Sequence, residues 1–244
     1  MKIFSKIEEK IKTGKKQFAV LIDPDKPSDN ELLSLIKEAE ESNVDYFFVG
    51  GSLLTNDCLD RCISLLKKNS SIPVVLFPGN TLQMSGKADA LLFLSLISGR
   101  NAEMLIGRHV IAAPYLKLSK LEVIPTGYML IDSGKTTTAS YMSNSIPIPE
   151  NKTDIALCTA MAGEMLGLKL IYMDAGSGAK STISNEMIAA VKNNITVPLI
   201  IGGGIRTPEK AKEIAEAGAD IVVVGNILEK NSHLIKRISE AIHS

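Results

Sequence analysis

The sequence predicts a single (β/α)8 barrel with an N-terminal capping helix and an irregular third helix region. Three observations predict it. Eight apolar runs rich in Val, Ile and Leu alternate with helical segments, and they lack the apolar–polar alternation of a half-wet sheet, as strands buried on both faces must. The length of 244 residues with 45% hydrophobic content suits one domain over residues 1–244, close to the roughly 250 residues of one eightfold barrel. Glycine-rich loops follow the seventh and eighth runs, whereas a doubly wound open sheet carries its nucleotide fingerprint after the first strand.

Each element has a local reason. Residues 1–16 set Ile3, Phe4, Ile7 and Ile11 among lysines and glutamates. That is an amphipathic helix packed under a barrel, without the continuous apolar core and cleavage site of a secretory signal. Residues 17–23 form the first strand and end in Asp23-Pro24-Asp25-Lys26, after which Ser28 or Asp29 offers an N-cap oxygen to a helix reaching Glu41. Residues 44–49 with Gly50-Gly51-Ser52 repeat the pattern and lead to a helix from about Thr55 to Lys68. The third strand, 73–77, runs into Pro78-Gly79-Asn80 and a stretch too short and glycine-broken for a full helix. A fourth strand over 88–96 precedes a helix over 101–111, and a fifth strand lies around Tyr128 to Asp132.

The polar stretch 133–152 reads either as a lid or as plain surface disorder. Beyond it come a helix over 153–166 and strand 169–174, then a helix over 184–193 and strand 198–201. A helix over 208–217, strand 221–224 and a terminal helix reaching Ile242 complete the chain. No internal duplication is visible at the level of residues, although strand–loop–helix units recur.

Composition excludes several classes of function. Lysine plus arginine equals aspartate plus glutamate at 27 each, so no overall field recruits nucleic acid. The longest apolar stretch, Ala90 to Ile97, is interrupted by Ser95 and is less than half the run of about 20 residues that spans a bilayer. The chain is expected to be soluble. Three cysteines, an odd number without a signal segment, suit a reducing cytoplasm. Cys58 and Cys62 are one helical turn apart without a third cysteine or histidine nearby, so they read as buried thiols rather than a zinc site.

The chemistry gathers at strand ends, where this fold keeps its active sites. Gly202-Gly203-Gly204 and Gly225-Asn226 close the seventh and eighth strands. Without Cβ atoms, such loops bring backbone N–H groups close to a phosphate, and the helices that follow add partial positive charge. Asp23 ends a strand that would otherwise bury a carboxylate, a charge that asks for a partner or a cation. Magnesium suits it, since that ion takes one or two carboxylates plus substrate phosphates, and Ser52 on the neighbouring strand end can add a hydroxyl. The competing reading of Asp23-Pro24-Asp25 is a turn with a helix cap. Asp174 ends the sixth strand before Gly176-Ser177-Gly178, placed either to take a proton or to cap the turn. On residues alone, several classes stay open. They are an isomerase of phosphosugars using Asp23 and Asp132, a flavin-dependent barrel, and a phosphate sensor without catalysis.

Five segments together narrow the choice. Asp23-Pro24-Asp25-Lys26, Val49-Gly50-Gly51-Ser52, Ile124-Pro125-Thr126-Gly127-Tyr128, Tyr172-Met173-Asp174-Ala175-Gly176-Ser177-Gly178 and Ile201-Gly202-Gly203-Gly204-Ile205-Arg206 closely resemble the geranylgeranylglyceryl phosphate synthase family, in its order and over nearly the whole chain. The resemblance implies a TIM barrel that joins the 3-hydroxyl of sn-glycerol 1-phosphate to a polyprenyl diphosphate, typically geranylgeranyl diphosphate, releasing diphosphate and making an ether lipid precursor. It implies that Asp23 and Ser52 hold Mg2+. It also implies that Tyr172, Met173, Asp174, Ala175, Gly176, Ser177 and Gly178, with Gly203, Gly204, Gly225 and Asn226, bind glycerol phosphate. A homo-oligomer follows from the same likeness, and transient contact with membrane lipid is a further expectation for a protein of the cytoplasm. Two departures stand out: the family usually has glutamate at Asp174, and similar archaeal members often carry lysine at Leu21. Phe93, Leu96, Ile97, Tyr115, Tyr128 and Tyr141 are candidates for an apolar prenyl groove.

Overall fold

Period-2 alternation sorts the apolar residues of this chain into two layers. The computed structural model describes residues 2–244; Met1, with which the expected N-terminal helix began, lies outside the described residues. The strands are β1 (Gln17–Ile22), β2 (Tyr46–Val49), β3 (Val74–Leu76), β4 (Ala90–Leu96), β5 (Glu122–Leu130), β6 (Leu170–Asp174), β7 (Leu199–Gly202) and β8 (Ile221–Val224). They pair in parallel in chain order, and β8 closes on β1. Ala19, Phe48, Leu92, Tyr172, Ile200 and Val223 fill the barrel, whereas Phe18, Val20, Phe47, Met173 and Ile201 face the surrounding helices.

The helices are α1 (Ile3–Lys12), α2 (Asp29–Glu41), α3 (Leu59–Asn69), α4 (Arg108–Leu118), α5 (Thr138–Ser143), α6 (Thr153–Met165), α7 (Asn185–Lys192), α8 (Pro208–Glu216), α9 (Asn226–Lys230) and α10 (Leu234–His243). Ile3 and Ile7 of α1 are buried against the barrel interior. Its first amides lack a capping side chain at Lys2. Glu122 supplies one, its carboxylate accepting from the N–H groups of Ile3 at 2.5 Å and Phe4 at 3.1 Å. Among the described residues, no helix is long and apolar enough to cross a membrane.

Several expectations shift. β5 begins at Glu122 rather than near Tyr128, because Glu122 and Pro125 mask its pattern. The helix expected over 101–111 is a π-helical turn over Glu103–Gly107 that leads into α4. The terminal helix divides into α9 and α10. The 133–152 stretch is not structureless: Thr137 caps α5 through a reciprocal hydrogen-bond pair with Ser140, and an isolated bridge joins Ile131 to Ile148. No helix lies between β3 and β4, as the broken third helix region predicted. Cys62 is buried, and burial pushes its thiol up to about 12.

One device recurs at the barrel floor. The aspartate just before β2 donates its own N–H to the carbonyl of Phe18 at 3.0 Å and accepts the Phe18 N–H on its carboxylate at 2.7 Å. Asp89 repeats this on Val74, at 2.9 and 2.8 Å, and Asp220 on Leu199, at 2.8 and 2.7 Å. Each carboxylate also meets a lysine, Lys10 for Asp45, Lys67 for Asp89 and Lys192 for Asp220. Before β6 the position is Lys169, whose N–H still donates to Pro125 at 2.8 Å. Proline has no N–H to clasp, so no carboxylate is needed there.

Asp220→Ala leaves the buried Leu199 amide without an acceptor. It should lower unfolding free energy by roughly 1–3 kcal/mol, read as a lower urea midpoint at unchanged slope. Asp220→Asn, which keeps a carbonyl acceptor, should lose less.

Candidate active site

A cavity of about 480 Å3 opens at the C-terminal mouth of the barrel. Its first part is an anion cradle. Gly176, Gly178, Gly203 and Gly204 all have positive φ, between 70° and 89°, a region that side chains with Cβ resist. A Cβ on Gly203 would lie 2.7 Å from both Asp174 Oδ1 and the Gly176 nitrogen, and one on Gly204 would lie 2.7 Å from the Ser181 carbonyl. The β6 and β7 loops interlock without room for a methyl group. Among the described residues, the N–H groups of Ser177, Gly178, Gly203 and Gly204 donate to no protein acceptor. Those of Gly176 and Ala175 are already used, on Asp174 at 2.7 Å and Gly202 at 3.0 Å. Asn226 ties the β8 loop to this cradle by donating to Ser177 Oγ at 3.1 Å.

Strand alternation sets which β6 residues can serve. Tyr172 and Asp174 face the cavity, together with Gly176, Ser177 and Gly178. Met173 does not: its side chain turns outward into the strand–helix layer, and Ala175 is buried there too. The side chains of these two expected phosphate contacts therefore lie outside the cavity. Gly203, Gly204, Gly225 and Asn226 line the cavity. Arg206, which the residue pattern left without a role, also lines it and donates to the carbonyls of Ala179 at 2.5 Å and Lys180 at 3.4 Å. The signal was in view, a cation directly after the triple-glycine loop.

Asp174 is 7% exposed. Its carboxylate accepts from the Tyr128 hydroxyl at 2.6 Å and the Gly176 amide at 2.7 Å. Burial pushes the Asp174 carboxyl above its ordinary range, with the two hydrogen bonds opposing. Burial and the same negative charge hold the Tyr128 and Tyr172 phenols well up. Tyr128, Tyr172 and Phe77 form an aromatic triangle with ring centroids 5.0–5.7 Å apart.

The acidic corner lies across the mouth. Asp23 and Ser52 both line the cavity. A Cβ on Gly51 would sit 3.3 Å from Asp23 Oδ1, so the two strand ends abut. Asp25 instead turns to the β2 loop, accepting from the Thr55 hydroxyl at 3.0 Å. Lys26 stands 3.2 Å from Asp23 and 3.3 Å from Glu229. Burial alone would lower its pKa, but Glu229 and Asp23 together hold the ammonium above its ordinary value. Glu229 was not legible as a site residue, since α9 carries it 206 positions from Asp23. The donor chemistry here, two carboxylates and a hydroxyl, is all oxygen. It fits a hard divalent cation that completes its shell with water and phosphate.

The remaining part is apolar. The missing helix after β3 leaves the flank of β4 open. Of the groove candidates, Phe93, Leu96 and Tyr128 line the cavity, joined by Phe77, Met84 and Met104. Ile97 instead packs under Gly127 and Gly163, while Tyr115 and Tyr141 are exposed on the outside. Thr138, Ala139 and Met142 of α5 border the groove. Asp132 is exposed, accepts the Gly134 amide at 3.0 Å and does not face the cavity. That removes the Asp23–Asp132 pairing on which the isomerase reading stood.

Known proteins resemble this chain in sequence and fold. The profile of the PcrB family covers residues 10–242. A geranylgeranylglyceryl phosphate synthase of Chitinophaga pinensis is 54% identical over 243 residues, 100% of this chain and 96% of the relative. One of Thermococcus sibiricus is 44% identical, covering 96% of this chain and 91% of that one. The (S)-3-O-geranylgeranylglyceryl phosphate synthase of Thermoplasma acidophilum, solved in complex with its substrate sn-glycerol-1-phosphate, superposes with a TM-score of 0.94 at 35% identity over 100% of this chain and 99% of its own. The tryptophan synthase alpha subunit of Legionella pneumophila shares the fold alone, with a TM-score of 0.59 at 18% identity over 99% of this chain and 98% of its own.

Tyr128→Phe removes a donor that favours the charged form of Asp174. The Asp174 titration should move to higher pH, measured by carboxyl 13C NMR on aspartate-labelled protein; an unmoved or lower midpoint would contradict this electrostatic account.

Proposed function

The chain belongs to the PcrB family, with relatives named geranylgeranylglyceryl phosphate synthase, and on that premise we propose that it is a prenyltransferase of lipid biosynthesis. It joins the 3-hydroxyl of sn-glycerol 1-phosphate to a polyprenyl diphosphate, typically geranylgeranyl diphosphate, through an ether bond, with Mg2+ present and diphosphate released. One observation carries the reading: a single cavity has a cradle of free amides on one side, an apolar groove on the other, and the buried Asp174–Tyr128 pair facing it. A phosphate ester and a hydrocarbon chain both need that cavity, and a reacting hydroxyl needs the base.

The amides of Ser177, Gly178, Gly203 and Gly204, with Gly225 and Asn226, take the glycerol phosphate. Anchoring it turns a bimolecular encounter into an oriented one, an effect worth several kcal/mol and up to about 7–11 in well-aligned cases. Asp174, made more basic by burial, accepts the 3-hydroxyl proton. That oxygen then bonds to the allylic carbon as the carbon–oxygen bond to diphosphate breaks. The aromatic and methionine wall of the groove excludes water from the electron-poor carbon. Asp23 and Ser52 would hold Mg2+, which when bound neutralises charge on the departing diphosphate.

The outer face of the π-helical turn and α4 exposes Ile106, Val110, Ile111 and Leu118. An apolar patch of this kind supports association of copies into a homo-oligomer. Location in the cytoplasm with transient contact with membrane lipid, the source of so apolar a donor, belongs to the same reading.

Purified protein incubated with Mg2+, glycerol 1-phosphate and prenyl diphosphates of graded length should yield an ether product, identified by mass, and diphosphate. No product with any donor would overturn the assignment. Asp23→Asn should abolish the magnesium-dependent turnover while leaving the circular dichroism spectrum intact. Asp174→Asn should lower kcat by about 10²–10⁴-fold, and undiminished turnover would remove it from proton transfer.

A further inference from the structure

Lys26 joins the acidic corner to the anion cradle, and its surroundings are those of a metal ion. Three oxygens, one from the end of β1 and two from α9, converge on its Nζ: Asp23 Oδ2 at 3.2 Å, Glu229 Oε2 at 3.3 Å and Asn226 Oδ1 at 3.2 Å. Asn226 in turn donates to Ser177 of the cradle. The second oxygen of Glu229 accepts from the Asp23 amide at 3.4 Å, so the carboxylate is held against β1 independently of the lysine. The Asp23 and Glu229 side chains are only 21% and 14% exposed. Two carboxylates brought together with so little solvent repel one another unless a cation stands between them.

We propose that Lys26 is a built-in placeholder for the divalent cation. Its ammonium fills the oxygen tripod in the substrate-free protein and yields that place when metal and diphosphate arrive together. Glu229 is then a carboxylate of the cation corner that stands beside Asp23 and Ser52. The inference rests on the reading of Asp23 as a metal ligand and adds an order of events. Metal without diphosphate must compete against a tethered cation already in place. With diphosphate present, the displaced ammonium gains an anion of its own, so metal and diphosphate should bind cooperatively. A corner arranged in this way keeps the metal from settling without a substrate to neutralise.

The test measures Mn2+ binding by loss of its free-ion paramagnetic resonance signal, on full-length protein without prenyl substrate. Wild type is compared with Lys26→Met, Lys26→Gln, Glu229→Gln and the Lys26→Met/Glu229→Gln double variant, each with fold checked by circular dichroism. Removing a like charge from the site should make Lys26→Met, and likewise Lys26→Gln, bind Mn2+ at least about fivefold more tightly than wild type. Glu229→Gln in the Lys26→Met background should cancel most of that gain. Adding inorganic diphosphate should tighten Mn2+ binding more in wild type than in Lys26→Met. Equal or weaker Mn2+ binding in both lysine variants overturns the placeholder, and an unchanged affinity in the double variant relative to Lys26→Met overturns the role of Glu229. Both failures are distinct from failure of the proposed activity, which is read from the ether product of the wild-type enzyme and not from Mn2+ titration.

Discussion

Asp174 holds the mouth of the barrel together. One oxygen takes the Gly176 amide, which fixes the β6 loop so that the following amides point at open space, and the other takes the Tyr128 hydroxyl from β5. Because its Oδ1 leaves no room for a Cβ on Gly203, the β7 loop can come close only as glycine. A single buried carboxylate thus shapes the cradle on one side and aims an aromatic wall toward the groove on the other. The cost of burying that charge, which is large for an unpartnered carboxylate, is met by two short hydrogen bonds and appears as raised basicity of the carboxylate.

The two ends of the barrel divide their tasks. At the floor, aspartate–lysine pairs grip strand amides and α1 closes the interior. At the mouth, the loops leave amides free and crowd carboxylates together. The floor uses charge where each group has a partner, so it contributes stability. The mouth leaves amides unsatisfied, which is tolerable because the strand ends at the floor are clasped.

Much of this was legible in the residues. Eight buried runs of the right spacing announced the barrel, and the glycine loops at strand ends announced the tight turns with free amides. The misses have physical causes. β5 was hidden because a proline and an edge glutamate break its apolar run. Met173 was taken with its neighbours because a motif is contiguous in sequence, whereas a strand presents alternate residues to one face. Glu229 and Lys26 act together only after closure brings β8 beside β1, a contact that no local pattern encodes. The floor clasps escaped notice for the same reason, one aspartate per pair of strands being too sparse to register as duplication.

Pro125 and Lys169 carry a consequence for how such barrels can be recombined. Three quarters of the molecule share one aspartate-to-amide clasp, and the β5–β6 quarter alone dispenses with it by removing the amide. A transplanted quarter therefore remains matched only when both of its strands travel together. Splitting it would set an acid opposite an imino nitrogen, or an amide opposite an amine, and the seam of the chimera would open at its base.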